Sequence, residues 1–261
     1  MTKMPETEKP YIAEETEDFA VVFKPHRMHC APLAKPDGNT LLEWYGNLSP
    51  GVFSISGKKR GEGGLLHRLD FETEGLVLFA KNQSAFDSLR SVQNEGLFIK
   101  EYSARCFKSP PPHSGFPPPP ELPDDFSQAV IESFFRPFGP GRKEVRPVTE
   151  AVRKKKEIAA CRGLFYRTGI HSVTRSDKRG QNDCAQYLFT VKINQGFRHQ
   201  IRCHLAWIGY PISGDSLYGN GETNGEYLAL RSHGISFIDP HGQRREYRIK
   251  PLELEFPRIS E

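Results

Sequence analysis

The chain has 261 residues, of which 37% are hydrophobic, and this is enough for one compact domain with insertions. Its formal net charge of +4 permits a polyanionic partner without requiring one, while five scattered cysteines without a CxxC pair argue against a disulfide framework or a zinc knuckle. No stretch approaches the roughly 20 apolar residues of a membrane span and the N-terminus has no apolar signal-peptide core, so we expect a protein of the cytoplasm.

The first half of the chain predicts alternating strands and helices. Residues 1–10 are polar and are expected to form a flexible tail, with the folded domain covering 11–261. The run DFAVVFK predicts a strand stopped by Pro25, and Thr40 is a candidate N-cap for a short helix over NTLLEWYGNL. The segment GKKRGEGG predicts a basic, mobile loop. Beyond it, GLVLFAK predicts a buried strand, QSAFDSLRSVQNEG a helix, and FIKEYSARCF a further strand.

The second half begins with a proline-rich segment. Between Lys108 and Asp125 proline excludes a helix or a central strand, so we expect an extended surface segment, most simply a stiff linker. The sequence from FGPGRKEVRP through VRKKKEIAACRG is predicted to remain irregular and basic, which makes an insertion around 108–160.

The segments after the insertion predict regular structure again. LFYRTGIHSV predicts a strand that is followed by a charged loop, and AQYLFTVKI predicts another strand. GFRHQIRCHLAWIGYP predicts a helix ended by Gly209 and Pro211, and GISFIDPHGQRREYRI a closing hairpin. Because no regular βαβ rhythm appears, we predict an α+β fold with a largely antiparallel mixed sheet flanked by helices and loops.

The stretch LLHRLDFETEGLVLFAK contains the leading catalytic candidate, Asp70. An aspartate before a strand is most often a turn former, but a carboxylate near the Arg68 guanidinium stays ionised and suits nucleophilic or electrostatic work at a sugar carbon. Glu72 and Glu74 leave glycoside hydrolysis open as an alternative function, because glycoside hydrolases use a pair of carboxylates.

Two further candidates lie on predicted regular elements. Tyr102 is on a strand, where most tyrosines are core residues, and Arg202 shares a helical face with His199. Cys203 and His204 lie beside them, but no acidic or cysteine partners stand at ligand spacing, so we expect no metal site. The sequence contains no Walker loop, GxGxxG or GxSxG, and therefore lacks the motifs of nucleotide-cofactor binding and of serine hydrolases.

Four motifs together resemble those of the RluA-type pseudouridine synthases, and they stand in the family's order. They are HRLDFETEGLVLFAK, KEYSARC, GFRHQIRCHL and GYPISGDSLYG. The opening DFAVVFKPHRMHCAP and the closing LALRSHGISFIDPHGQRREYRI are also similar to the family's first strand and last hairpin. The resemblance implies the pseudouridine synthase catalytic fold and the isomerisation of uridine to pseudouridine in rRNA or tRNA. In that reaction the C1′–N1 bond breaks, the uracil rotates and C5 bonds to C1′, with no redox change and no cofactor.

The resemblance also implies roles for individual residues. Asp70 matches the family's catalytic aspartate, Tyr102 its base-packing tyrosine, and Arg202 the arginine expected to pair with the aspartate. A target uridine must be extruded from its stack, and phosphate contacts and aromatic packing offset that cost. RNA contacts are expected at His67, Arg68, Arg198 and His199. The expected partner is RNA, and a monomer is usual for the family.

The chain departs from the family pattern at two motif positions. Phe197 stands where the family usually has arginine, and Arg198 stands where it has threonine or lysine. Glu74 replaces the small residue of T-S-G, and a negative charge there is expected to repel phosphate or alter target choice. We expect no N-terminal S4 RNA-binding domain. These departures leave open a catalytically impaired RNA-binding protein of the same fold.

Overall fold

The computed structural model describes residues 9–32, 39–109, 115–126, 128–149, 164–179, 185–219 and 227–254. The described residues divide between two compact units, which are Met1–Lys100 with Arg231–Lys250 and Glu101–Leu230 with Pro251–Glu261. The strands are β1 Tyr11–Glu15, β2 Phe19–Lys24, β3 Glu74–Ala80, β4 Ile99–Phe107, β5 Val130–Phe138, β6 Glu144–Val148, β7 Tyr166–Arg179, β8 Ala185–Ile193, β9 Leu230–Ile238 and β10 Arg244–Arg248. The α-helices are α1 Leu41–Leu48, α2 Gln83–Asn94 and α3 Gln200–Trp207.

The first unit is built on the strand order β1-β2-β3-β9, with β10 paired to β9. Three of these pairings are antiparallel, and β3 with β9 is parallel through Glu74 opposite Arg231 and Gly75 opposite Ser232. Gly75 has a φ of +126°, and a Cβ there would lie 2.2 Å from the Ser232 carbonyl oxygen. Glycine is therefore required at the point where β3 and β9 meet.

Two helices cover opposite faces of β3, whose seven residues are all buried. Side chains alternate along a strand, so Leu76 and Leu78 join the cluster that contains Phe86 of α2, while Phe79 faces Tyr45 of α1 at a ring distance of 4.9 Å. Both helices begin at capping side chains. Thr40 and Glu43 form the capping box of α1, which confirms the predicted N-cap, and the Asn82 side chain caps α2.

The second unit has the strand order β4-β8-β7-β5-β6, with antiparallel pairing between β7 and β8, β5 and β7, and β5 and β6. All eight residues of α3 are buried. The His204 ring of α3 lies 4.7 Å from that of Phe135 on β5, and Cys203 belongs to a cluster that includes Val145 of β6. The mixture of helices with mostly antiparallel strands confirms the predicted α+β class.

Two predictions of irregular structure are wrong. The segment expected to be irregular holds β6, whose Pro147 pairs with Phe135 of β5. The charged loop expected after LFYRTGIHSV is also wrong, because β7 continues to Arg179. The N-terminal tail at 1–8, the proline-rich residues 110–114 and the basic cluster at 152–157 lie outside the described residues. In the described ranges, no helix has the length and apolar character to cross a membrane.

Candidate active site

Asp70 lies on the loop that precedes β3, and contacts on both sides fix the backbone of this loop. On the N-terminal side, the Leu69 N–H donates to Sγ of the buried Cys30 at 3.2 Å. On the C-terminal side, the Thr73 N–H donates to the Asp70 carbonyl at 3.1 Å. The Asp70 side chain is half-buried. Its carboxylate is therefore carried on a fixed backbone without being sealed from solvent.

A buried lysine at the end of β2 ties the first strand to the Asp70 loop. Lys24 is 0% exposed, and its Nζ donates to the carbonyls of Pro25 at 2.8 Å, Met28 at 2.9 Å and Phe71 at 3.2 Å. Burial lowers the pKa of Lys24 to about 8, against the opposing charge of Asp70 among others. The ammonium thus satisfies three carbonyls and places a positive charge close to Asp70.

Glu74 is a buried charge with two partners. It is 5% exposed, its Oε1 accepts from Arg231 Nε at 2.5 Å, and its Oε2 lies 2.9 Å from His26 Nε2. Burial would raise the pKa of Glu74, but the hydrogen bonds and charges of His26 and Arg231 hold it below its ordinary value. Because its charge is compensated inside the protein, the structure argues against repulsion of phosphate by Glu74. For the same reason it is poorly placed to serve as a second carboxylate of a hydrolase. An effect of Glu74 on target choice stays a prediction.

The two residues expected to bind RNA in this loop have different environments. The Arg68 side chain is 50% exposed and lies 3.1 Å from the Glu62 carboxylate. His67 is 9% exposed, and its Nε2 accepts from the Leu78 N–H at 3.2 Å. Burial lowers the pKa of His67 well below its ordinary range, so the ring is neutral at physiological pH. Arg68 is accessible to a ligand, whereas the contact expected for His67 stays a prediction.

Arg202 is a buried residue of α3 rather than an exposed helical arginine. It is 3% exposed, and its Nε and Nη2 donate to the two carboxylate oxygens of Asp215, both at 2.8 Å. Asp215 also accepts the N–H groups of Leu217 and Tyr218. These donors, above all Arg202, hold the pKa of Asp215 below its ordinary value although burial would raise it. The bidentate geometry fixes the orientation of the guanidinium.

Tyr102 is 5% exposed on β4 and belongs, with Arg202, to the second unit, whereas Asp70 belongs to the first. Asp70 therefore lies on a loop of the first unit, whereas Tyr102 lies on a strand and Arg202 on a helix of the second unit. The expected pairing of Arg202 with Asp70 stays a prediction.

The departure at Phe197 and Arg198 has a packing explanation. The Phe197 ring stacks on Phe135 at 5.2 Å with an interplanar angle of 10°, so it extends the aromatic core of the second unit. Arg198 is exposed, and its Nη2 donates to the carbonyls of Arg142 and Glu144. Arg198 therefore ties the turn before β6 to the start of α3.

His199 begins α3 in the left-handed conformation, with a φ of 57°, which is uncommon for a residue other than glycine. Its Nδ1 lies 3.2 Å from the Tyr218 hydroxyl. Strained residues of this kind concentrate at functional sites. Its expected contact with RNA stays a prediction.

The histidine and cysteine that follow on α3 are core residues. His204 is fully buried, with Nε2 2.9 Å from the Ser133 hydroxyl and Nδ1 2.8 Å from the Thr168 hydroxyl. Burial lowers the pKa of His204 to about 3, so it is neutral. Cys203 Sγ contacts the Val145 carbonyl at 3.5 Å. Both side chains are engaged with the surrounding strands.

The sequence patterns missed four residues that support these sites. Asp215 lies in the GYPISGDSLYG motif but had no assigned role, and Lys24 ends the predicted strand DFAVVFK before Pro25. His26 and Arg231 carried no local signal, since Arg231 is 157 positions from its partner Glu74. The missed residues are Lys24, His26, Asp215 and Arg231.

Known proteins to which this chain is similar are named as RNA pseudouridine synthases. The sequence profile of a family described as RNA pseudouridylate synthase matches residues 18–207. An uncharacterized RNA pseudouridine synthase of Synechocystis sp. is 25% identical over 255 residues, which are 95% of this chain and 67% of that protein. The ribosomal large subunit pseudouridine synthase C of Buchnera aphidicola is 24% identical over 200 residues, which are 74% of this chain and 54% of that protein. The structure of human RNA pseudouridylate synthase domain containing 1 matches with a TM-score of 0.66 and 19% identity, over 95% of this chain and 86% of that one, which shows a shared fold.

Proposed function

The chain belongs to the RNA pseudouridylate synthase family, and from that premise we propose that it isomerises specific uridines of rRNA or tRNA to pseudouridine with Asp70 as the essential carboxylate. The main support for this proposal is the geometry of the loop that holds Asp70. It presents a half-buried carboxylate on a backbone fixed by Cys30 and Lys24. A group that reacts at one sugar carbon needs that combination of access and fixed position.

The proposed reaction divides into steps that these residues can serve. Asp70 attacks the nucleotide or assists glycal formation as the C1′–N1 bond breaks, the uracil turns over, and C5 forms a bond to C1′. The proton on C5 is then lost and N1 gains one, so the product is an isomer of the substrate. Tyr102 packs against the base, and Arg202, oriented by Asp215, pairs with Asp70 and keeps it ionised.

The relatives and the exposed cations support an RNA substrate. A ribosomal RNA target is supported by the name of the Buchnera aphidicola relative, and a transfer RNA target is the alternative. Arg68 and Arg198 are exposed, and guanidinium groups suit phosphate. Together with His67 and His199, they form the proposed RNA-contacting set. We place the reaction in the cytoplasm, supported by the buried free thiols of Cys30, Cys106 and Cys203, and we expect a monomer.

The test is a map of pseudouridine in RNA treated with the protein. Bulk RNA from cells lacking the protein is incubated with wild type, Asp70→Ala or Asp87→Ala, and positions are read as carbodiimide-dependent reverse-transcription stops. Asp87 is an exposed residue of α2 and serves as the matched control. We expect the same new stops with wild type and Asp87→Ala, and none with Asp70→Ala.

Other results would favour other functions. Identical maps for wild type and Asp70→Ala, on RNA that both bind, would remove Asp70 from the chemistry. Salt-sensitive RNA binding by wild type without any new stop would favour the RNA-binding protein of the same fold. Release of free uracil would favour a hydrolase.

A further inference from the structure

An apolar ring lies at the surface directly beside Asp70. Phe71 is 41% exposed, although burying a phenylalanine ring is strongly favourable. A single exposed apolar residue is common in proteins, so exposure alone indicates nothing. The surroundings of Phe71 distinguish it.

The Phe71 ring rests on a second ring. Its centroid is 4.6 Å from that of His29, with an interplanar angle of 35°. His29 is itself held in place, because its carbonyl accepts the Leu41 N–H at 2.8 Å at the start of α1 and its backbone forms a bridge with Thr40. The exposed ring therefore has a firm support beneath it.

The backbone on which Phe71 is carried is also fixed. Lys24 Nζ donates to the Phe71 carbonyl at 3.2 Å, and His26 Nδ1 donates to the Glu72 carbonyl at 2.5 Å. A ring held in this way loses little conformational entropy when a flat ligand stacks on it, since the cost of ordering has been met on folding.

We propose that Phe71, supported by His29, is a stacking site for an unpaired nucleobase of the RNA substrate next to the target uridine. The inference rests on the proposed function and adds a subsite to it. Extruding a uridine unstacks the bases on either side of it, and an aromatic ring that replaces one stacking partner recovers part of that loss. Every base has a π-face, so such a site contributes affinity without selecting a particular base.

The charges near Phe71 suit the same ligand. Arg68, on the same loop, has a side chain that is 50% exposed, and Arg27, on the segment that contacts residues 71 and 72, is also exposed. An exposed ring on a loop that also carries an exposed guanidinium group suits a base with its adjoining phosphates.

The test uses four variants and one matched control. Phe71→Ala removes the ring, Phe71→Leu keeps apolar bulk without a π-face, and Phe71→Trp keeps stacking. His29→Ala removes the support. Phe53→Ala is the control, because Phe53 is 51% exposed in the same unit, where it contacts Gly46 of α1.

The probe is a synthetic single-stranded RNA that carries a uridine mapped as a wild-type product, with 2-aminopurine at the adjacent position. We expect Phe71→Ala and Phe71→Leu to raise both KM and the Kd for this RNA about 5- to 150-fold, with kcat within about twofold and with loss of 2-aminopurine quenching on binding. Phe71→Trp and Phe53→Ala should match wild type, and His29→Ala should lie between wild type and Phe71→Ala.

Three outcomes overturn the inference. Phe71→Ala with wild-type Kd and quenching would show that no base stacks there. A fall in kcat at unchanged Kd would make Phe71 a positioning residue of the Asp70 loop. A loss of affinity in Phe71→Ala that Phe71→Leu restores would indicate an apolar contact without stacking. If wild type forms no pseudouridine, the proposed function fails, and the Kd and quenching of the same 2-aminopurine design in oligouridine still decide the stacking site.

Discussion

Replacing Arg231 with methionine tests the buried ion cluster around Glu74. The carboxylate is 5% exposed, and the side chains of its partners Arg231 and His26 are 20% and 18% exposed. Removing one partner of a buried pair typically costs about 3 to 5 kcal/mol. Since His26 remains, we expect a loss of about 2 to 3 kcal/mol. Glu74→Gln should cost less, about 1 to 2 kcal/mol, because the amide oxygen still accepts a hydrogen bond and the side chains of Arg231 and His26 are partly exposed to water.

Equilibrium urea unfolding measures these losses as shifts of the midpoint, about 1 M for Arg231→Met. The double variant should lose less than the sum of the singles, because the residues are in contact. Glu246→Gln is the matched control. Glu246 pairs with Arg248 where both side chains are about half exposed, at 50% and 49%, and such pairs contribute roughly 0 to 1 kcal/mol. A midpoint shift for Arg231→Met no larger than that of the control would show that the contact of Arg231 with Glu74 contributes no more to stability than an exposed ion pair.

The same cluster predicts a pH dependence. The pKa of Glu74 is lower in the folded protein than its ordinary value of 4.5, so its contribution to stability is complete above that value. The contribution is lost as the pH falls through the folded pKa. The advantage of wild type over Glu74→Gln should therefore shrink below about pH 4.5, and an advantage that grew on acidification would contradict the assignment.

Three further changes test other parts of the structure by urea unfolding. Lys100 is 4% exposed, and burial lowers its pKa to about 8. Lys100→Met should therefore be more stable than wild type at pH 7. The difference in stability should shrink as the pH rises from about 8 to 10.4, because the folded protein loses the lysine proton before the unfolded chain does. Arg202→Lys should cost about 1 to 3 kcal/mol, because lysine cannot make the bidentate contact to the buried Asp215, and an unchanged midpoint would contradict that contact. Phe197→Arg, which restores the family's usual residue, should cost about 1 to 2 kcal/mol through the lost aromatic packing without increasing pseudouridine formation.

Local signals were sufficient where the structure depends on neighbours in sequence. Thr40 stands three residues before Glu43, which is the spacing of a capping box, and the helix begins there. The apolar run after Asp70 and the turn of the last hairpin likewise correspond to β3 and to β9 with β10. These elements are specified by side-chain periodicity and turn chemistry, which a single sequence displays.

The misplaced elements depend on contacts that the sequence does not display. The segment that contains Pro147 was predicted to be irregular, yet proline is tolerated on an edge strand, and β6 pairs with β5 at the end of the strand order in its unit. The partner of Glu74 was likewise not apparent, because Arg231 faces it across the parallel pairing of β3 and β9. Neither the register of that pairing nor its partner strand can be inferred locally.

The residues of the candidate site were predictable only where a motif contains them. The resemblance placed Asp70, Tyr102 and Arg202 on the elements where they occur, while the support from Lys24 and the bidentate contact of Asp215 required coordinates. Motifs indicate candidate positions for reactive groups, whereas the hydrogen bonds that orient those side chains come from the packed structure.

If Asp70 supplies the carboxylate of a uridine isomerase, its isosteric replacement in Asp70→Asn should abolish the reaction. Its neighbour Glu72→Gln is the matched control, since it removes a carboxylate two positions away on the same loop. Bulk RNA from cells lacking the protein is treated with each protein and digested to nucleosides, and pseudouridine and free uracil are quantified by liquid chromatography. We expect pseudouridine from wild type and Glu72→Gln, none above background from Asp70→Asn, and no free uracil from any of the three proteins. Equal pseudouridine from Asp70→Asn and wild type would contradict this role of Asp70.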